Sequence, residues 1–206
     1  MERPDRCDLA PPLDVIQAAR STMGAIDLDP YGSAHNNELV IAARYYDRDT
    51  EDFNMVIARD WDCPGEGRVF IGPPAGAGAT RRLLNKCLRE YRAGRIQQAV
   101  IWVAHNETLI RAPWVWDFPI CIPFRRLRPC YWDDELEEWR TISPSDWSAI
   151  VYLPPASPPE AFYTKLSRFH VSFNAIGRIV FDANSGEDEW VRPYEVLTGK
   201  PYNYRE

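Results

Sequence analysis

The sequence predicts one α/β domain with a mostly parallel sheet and helices on both faces. Three observations carry that expectation. Short apolar runs of strand character alternate with amphipathic runs of helical period. Two of the strand-like runs end sharply in Pro or Gly (IDLDP and VFIGPPAG), as strands do where a ligand crevice opens at their carboxyl ends. The most hydrophobic run, residues 98–104 (QAVIWVA), has the character of a central strand buried on both faces.

The elements follow in order. Residues 13–21 (LDVIQAARS) have the spacing of a short amphipathic helix, with Pro11 and Pro12 where prolines start helices. Residues 24–30 (GAIDLDP) read as a strand ending in acidic residues and a proline. Residues 34–46 (AHNNELVIAARYY) read as one helix, and the charged stretch 47–67 as a loop. Residues 68–71 (RVFI) are a buried strand running into GPPAGAGA. Residues 80–93 are a helix with a basic face of Arg81, Arg82, Lys86, Arg89 and Arg92, stopped by Gly94. Residues 114–123 are aromatic and Pro-rich, 124–131 (FRRLRPCY) read as strand and turn, and 133–140 as an acidic hairpin or loop. A strand at 147–153 (WSAIVYL), a Pro-rich link at 154–159, a helix at 162–173 and a strand at 177–181 complete the domain. It is expected to span 1–185, with 186–206 an irregular tail.

Composition bounds the function. A chain of 206 residues, 45% hydrophobic and 13% aromatic, builds one core without disulfides or metals. The net charge of -6 disfavours a nonspecific nucleic-acid coat protein but not an enzyme with a local basic cleft. Nearly all positive charge is Arg, which suits bidentate phosphate or guanine contacts, although a coding bias gives the same composition. The five cysteines, Cys7, Cys63, Cys87, Cys121 and Cys130, are scattered and read as free thiols; the three histidines form no metal cluster. No apolar run reaches the ~18 residues of a membrane span, and residues 1–8 lack the apolar stretch of a signal peptide. The expectation is a soluble cytoplasmic protein.

An ordered set of short motifs runs through this framework: Ala10-Pro11, Leu28-Asp29-Pro30 with Ser33-Ala34 and Asn36 or Asn37 after it, Asp60-Trp61, Gly72-Pro73-Pro74-Ala75, the apolar run 99–104, Trp114, Arg126-Leu127-Arg128, and Trp147-Ser148-Ala149. In order and spacing the set resembles the phage-type DNA N6-adenine methyltransferase family, across residues 8–185. The resemblance implies a Rossmann-like class I methyltransferase fold, S-adenosylmethionine as cofactor, DNA as partner, and a phage or plasmid setting. It puts cofactor contact on Asp29, with Pro11 and Pro30 around it, and the catalytic loop on Gly72, Pro73, Pro74 and Ala75; Asp27, the other acid at the same strand end, is a second candidate for the cofactor's charged or hydroxyl groups. Arg81, Arg82, Arg126, Arg128 and Trp114 are the candidate nucleic-acid contacts. Each has a plainer reading. Asp29 also suits a turn or helix cap, Pro11 a helix start, the arginines a solvated face, and Trp114 and Trp61 core packing.

The chain departs from the family at the reacting centre. The family's Asn-Pro-Pro-Tyr uses the Asn side chain and the first Pro carbonyl to accept hydrogen bonds from a flipped adenine's amine, and the Tyr to stack on the base. Gly72 supplies no side-chain acceptor and Ala75 no ring. Losing an oriented polar group costs on the order of 100-fold in rate, and losing the stacking ring roughly 1–3 kcal/mol of base binding. Ordinary adenine methylation is therefore not expected. Gly-Pro-Pro also opens the nucleophile loop of cytosine C5-methyltransferases, with Asn106-Glu107 and Arg126-x-Arg128 as companions, but Ala75 stands where their Cys attacks the ring. A phosphate-loop reading of GPPAGAGAT lacks the Gly-Lys-Thr/Ser ending. Three functions stay open: a silent or altered methyltransferase that binds its cofactor and DNA, an active enzyme using His105, Asn106 or Glu107 instead, and a binding module that has reused the old cleft.

Overall fold

Alternation of apolar side chains divides the core into two layers, one on each face of a seven-stranded sheet. The computed structural model describes residues 9–72, 76–105, 107–144, 146–155 and 159–180. In chain order the elements are α1 (Leu13–Met23), β1 (Ile26–Gly32), α2 (Ala34–Val40), β2 (Ala42–Asp47), α3 (Phe53–Ala58), β3 (Arg68–Ile71), α4 (Ala77–Arg92), β4 (Gln98–Val103), α5 (Glu107–Arg111), a 3-10 helix (Pro113–Asp117), β5 (Ile120–Pro123), β6 (Cys130–Asp133), β7 (Glu138–Thr141), β8 (Ala149–Leu153), α6 (Pro159–Phe173) and β9 (Gly177–Val180).

The sheet order is β2-β1-β3-β4-β8-β5-β9. The first four strands pair in parallel; β8, β5 and β9 join through antiparallel pairs, so β5 keeps the direction of the first four while β8 and β9 oppose it. The sheet is thus mostly parallel and Rossmann-like in layout. Val69 and Ile71, Ala99, Ile101 and Val103, and Ala149, Val151 and Leu153 face the layer of α3, α4, α5 and the 3-10 helix. Phe70, Val100, Trp102, Ile150 and Tyr152 face α1 and α6. The strands β4 and β8 are buried along their whole length, as strands covered on both faces must be. β6 and β7 form a separate hairpin, which agrees with the acidic turn expected there. No helix among the described residues is long and apolar enough to cross a membrane.

Four expectations need correction. The helix expected over 34–46 stops at Val40, and residues 42–47 form edge strand β2. Ile41 takes a left-handed conformation (φ 54°), and the Asn37 side chain bonds both the N–H (2.8 Å) and the C=O (3.3 Å) of Ala42, which fixes the change of direction. The stretch 47–67 is not all loop: Asp52 caps α3 by accepting from the Asn54 N–H at 2.7 Å. Residues 124–129 contain no strand, so Arg126 and Arg128 sit in irregular backbone between β5 and β6. Lys86 does not belong to the basic surface of α4. It is buried and paired with Glu90, one turn further along the helix. The expected tail, 186–206, lies outside the described residues.

Candidate functional site

The strand order reverses beside β1. The chain steps outward from β1 to β2, then returns past β1 to β3. In an open α/β sheet the ligand crevice lies at such a switch point, outside the carboxyl ends of the strands. Here those ends belong to β1 and β3, with the segment that leads into α1 packed beside them.

β1 ends irregularly. Asp29 pairs with Tyr45 and Gly32 with Asp47, so β1 holds one residue more than β2 over this interval. Pro30 has no N–H to give the ladder, and Asp29 Oδ1 accepts from the Tyr31 N–H at 3.0 Å. Bulges of this kind re-aim side chains at strand ends. Asp29 is almost wholly buried. Burial lifts its carboxyl to about 7, against the pull of the Tyr31 N–H and the more distant Arg48 guanidinium. This carboxyl is poised to gain from a ligand that donates a hydrogen bond or brings positive charge. Pro30 is buried in the same strand. Ser33 caps α2, accepting from the Asn36 N–H at 3.2 Å.

Asp27 has a different occupation. Its carboxylate accepts from the Glu66 N–H, the Arg68 N–H and the Arg68 guanidinium, all between 2.8 and 3.0 Å. Burial works to raise its pKa, but the Arg68 bonds and charge and the Glu66 N–H outweigh it and hold the carboxyl below its usual value. These bonds tie β1 to the start of β3 and fill the acceptor sites that a cofactor would use.

Pro11 and Gly72 are brought together. A Cβ on Gly72 would lie 2.6 Å from Pro11 Cγ, so the proline ring fills the space of a side chain at 72. Pro11 is anchored from behind: Ala10 exchanges backbone hydrogen bonds of 2.7 and 3.0 Å with Cys130 of β6. The same hairpin reaches α2, where Trp132 stacks on His35 with ring centres 5.2 Å apart. Pro73, Pro74, Ala75 and Asn106 lie outside the described residues.

The expected nucleic-acid residues fall in two places. Arg81 is exposed on α4, while Arg82 bonds Asn54 Oδ1 at 2.8 Å and lies over the Phe53 ring of α3. Trp114 bonds Asn85 Oδ1 at 2.9 Å and meets Phe118 edge-on, which is the packing role rather than a free stacking face. Trp61 is likewise core, its indole N–H bonded to the Val56 C=O. At the other place, Arg126 lies over Trp147 just before β8, and Arg128 is exposed two residues before Cys130. Phe124, whose N–H bonds the Ile176 C=O at 3.1 Å, and Trp147 are both well exposed, just after β5 and just before β8.

Beyond β4, His105 Nδ1 lies 3.4 Å from Asp146 Oδ2, and Glu107 pairs with Arg111. Buried polar atoms without a hydrogen-bond partner include Trp102 Nε1, Thr108 Oγ1 and Ser148 Oγ here, and Arg48 Nε at the end of β2. Sequence reading missed Arg48 and its neighbour Asp47, because β2 was expected to be helix. The nearest signal was Asp47, an acid about 15 residues beyond the end of the first strand, somewhat short of the ~20-residue spacing that dinucleotide folds use for ribose contact. Burial raises the described thiols, Cys63 and Cys121 to about 12, so none replaces the nucleophile that position 75 lacks. No group of three or more His, Cys, Asp or Glu suited to a metal occurs among the described residues.

Comparison with protein-family models, curated proteins and solved structures gives no match to this chain.

Proposed function

We propose that this protein is an S-adenosylmethionine-binding, methyltransferase-like protein of the adenine-N6 lineage that no longer methylates amines. The observation that carries the proposal is Asp29: a buried carboxyl midway along β1, where the bulge toward its carboxyl end begins, beside the switch point and raised to about 7. It supports the role that the Leu28-Asp29-Pro30 resemblance gives it. Asp29 accepts from a hydroxyl or ammonium group of the cofactor, and Pro11, seated on Gly72, closes the same end of the sheet. The bound cofactor would supply an electrophilic methyl group. Gly72 cannot orient an amine toward it, since it has no acceptor and the space for one holds the Pro11 ring. Arg126 and Arg128, with Arg81 on the opposite layer, serve as contacts to the phosphates of DNA.

Calorimetric titration with S-adenosylhomocysteine tests the cofactor reading. The wild type binds, more tightly as pH rises from 6 to 8, because a donor to Asp29 prefers its ionised form. Asp29→Ala weakens binding at least about tenfold, the scale of one charge-assisted hydrogen bond. No binding by the wild type would remove the cofactor from the account. Nucleoside mass spectrometry after incubation with DNA and S-adenosylmethionine tests the chemistry: N6-methyladenine would show that amine methylation survives without the Asn and the Tyr.

A further inference from the structure

Arg48 follows the last residue of β2, on the strand adjoining β1. Its backbone N–H bonds the Gly32 C=O at 2.9 Å, which stitches the carboxyl ends of β1 and β2 together. The side chain is only 9% exposed, its Nε makes no hydrogen bond, and the carboxylate it approaches, Asp49 Oδ1, is 3.9 Å away. A guanidinium nitrogen buried without an acceptor is costly, and native structures seldom leave one so. Asp29 does not relieve it: the two interact through charge but form no contact ion pair. A carboxyl at the bulge of β1, with one hydrogen bond, and a guanidinium just past the end of β2, with its Nε unpartnered, thus stand apart toward the carboxyl ends of neighbouring strands, where ligands bind.

We infer that Arg48 is an anion-binding arm of the Asp29 site, so that the ligand held there carries a carboxylate or phosphate for Arg48 as well as a donor for Asp29. A planar guanidinium with a free Nε–H suits either oxyanion. The inference rests on the reading of Asp29 as a cofactor contact, and it adds a requirement: a neutral nucleoside leaves half of the site unused.

Three probes separate the possibilities by calorimetry at one pH and salt. S-adenosylhomocysteine carries the amino-acid carboxylate and ammonium, 5′-methylthioadenosine is the thioether nucleoside with neither, so that the Arg48 variants isolate the carboxylate's share, and adenosine 5′-monophosphate carries a phosphate. Wild type binds the carboxylate-bearing thioether about 10- to 100-fold more tightly than methylthioadenosine, the worth of one charge-assisted pair. Arg48→Gln removes most of that preference and leaves methylthioadenosine affinity unchanged. Arg48→Lys restores part of it and serves if the Gln variant does not fold. Equal wild-type affinity for the two thioethers, or an equal loss of both in Arg48→Gln, overturns the inference while the methyl-donor reading stands. Arg48-dependent binding of the monophosphate, with neither thioether bound, keeps the anion arm and overturns the methyl donor. Binding of none of the three overturns both.

Discussion

The two edges of the sheet treat buried charge in opposite ways. At the amino-terminal edge the buried carboxylates among the described residues, Asp27 and Glu90, are matched. Asp27 is enclosed by Arg68 and two backbone N–H groups. Glu90, fully buried near the end of α4, takes Lys86, Arg95 and the Trp61 N–H. At the carboxyl edge, Asp29 has the Tyr31 N–H and a distant Arg48, and Arg48, Trp102, Thr108 and Ser148 each bury a polar atom without a partner. Arg59, elsewhere, shares that description but pairs with Glu51 and lies over Tyr46. Polar satisfaction is complete at the first edge and incomplete at the second. The unbalanced edge is the one where an open α/β sheet binds its ligands.

The largest test of this contrast lies at the balanced edge. Burial works to raise the Glu90 carboxyl, but bonds from Arg95, Lys86 and the Trp61 N–H bring it down to about 2. A depressed carboxylate stabilises above its unfolded pKa of 4.5 and loses that contribution as pH falls toward 2. Lys86→Met keeps the apolar stem and removes the charge, leaving Glu90 under-compensated. Urea unfolding at pH 7 should show a loss of about 3–5 kcal/mol, the cost of breaking a buried pair, and the loss should shrink below pH 4. A loss under about 1 kcal/mol would mean that this edge is no better balanced than the other.

At the unbalanced edge the sign reverses. Asp29 is raised from 3.8 to about 7, so the folded state holds its proton more tightly than the unfolded chain does. Its contribution is fully present below about pH 4 and is lost as pH rises through 7. Asp29→Asn keeps an acceptor for the Tyr31 N–H and cannot ionise. It should therefore stabilise the ligand-free protein at pH 8 by on the order of 2–4 kcal/mol, with the gain vanishing near pH 4, while weakening binding of the proposed cofactor. A variant less stable than wild type at pH 8 would show the carboxylate to be compensated after all.

What the sequence revealed follows the same division. β3, β4 and β8 were legible because strands covered on both faces are short unbroken apolar runs. β2 was not, because its break from α2 is made by Ile41, a non-glycine residue in a left-handed conformation held by Asn37. Once β2 was misread, the end of β2 was invisible, and Arg48 with it. α3 was hidden in a charge-rich stretch, with only Asp52 to announce it. Lys86 looked like one more cation on a basic face, although the Glu four residues on was in plain view. Asp29, Pro11 and Gly72 were singled out by the order of motifs, and the structure places Pro11 against Gly72. That Asp27 is already occupied, and that Pro11 fills the space over Gly72, depends on partners 41 and 61 residues distant in the chain, which no local pattern encodes.

The Pro11–Gly72 contact gives the smallest effect and separates two explanations of the unpaired groups nearby. If the carboxyl edge is simply slack, a methyl group at 72 finds room. If it is packed like the core and only its polar groups await a ligand, the methyl has nowhere to go. A Cβ there would stand 2.6 Å from Pro11 Cγ and 3.0 Å from Cδ, and Pro11 is held by the Ala10–Cys130 bonds on one side and the start of α1 on the other. Gly72→Ala should cost about 1–3 kcal/mol, as overpacking does. Pro11→Ala should recover much of that in the double variant, a coupling that urea unfolding of all four proteins measures directly. Additive losses would favour slack, and the unpaired atoms would then say little about a ligand. Strong coupling would mean that a larger side chain at 72 needs room made at 11, so the two residues are packed as one unit.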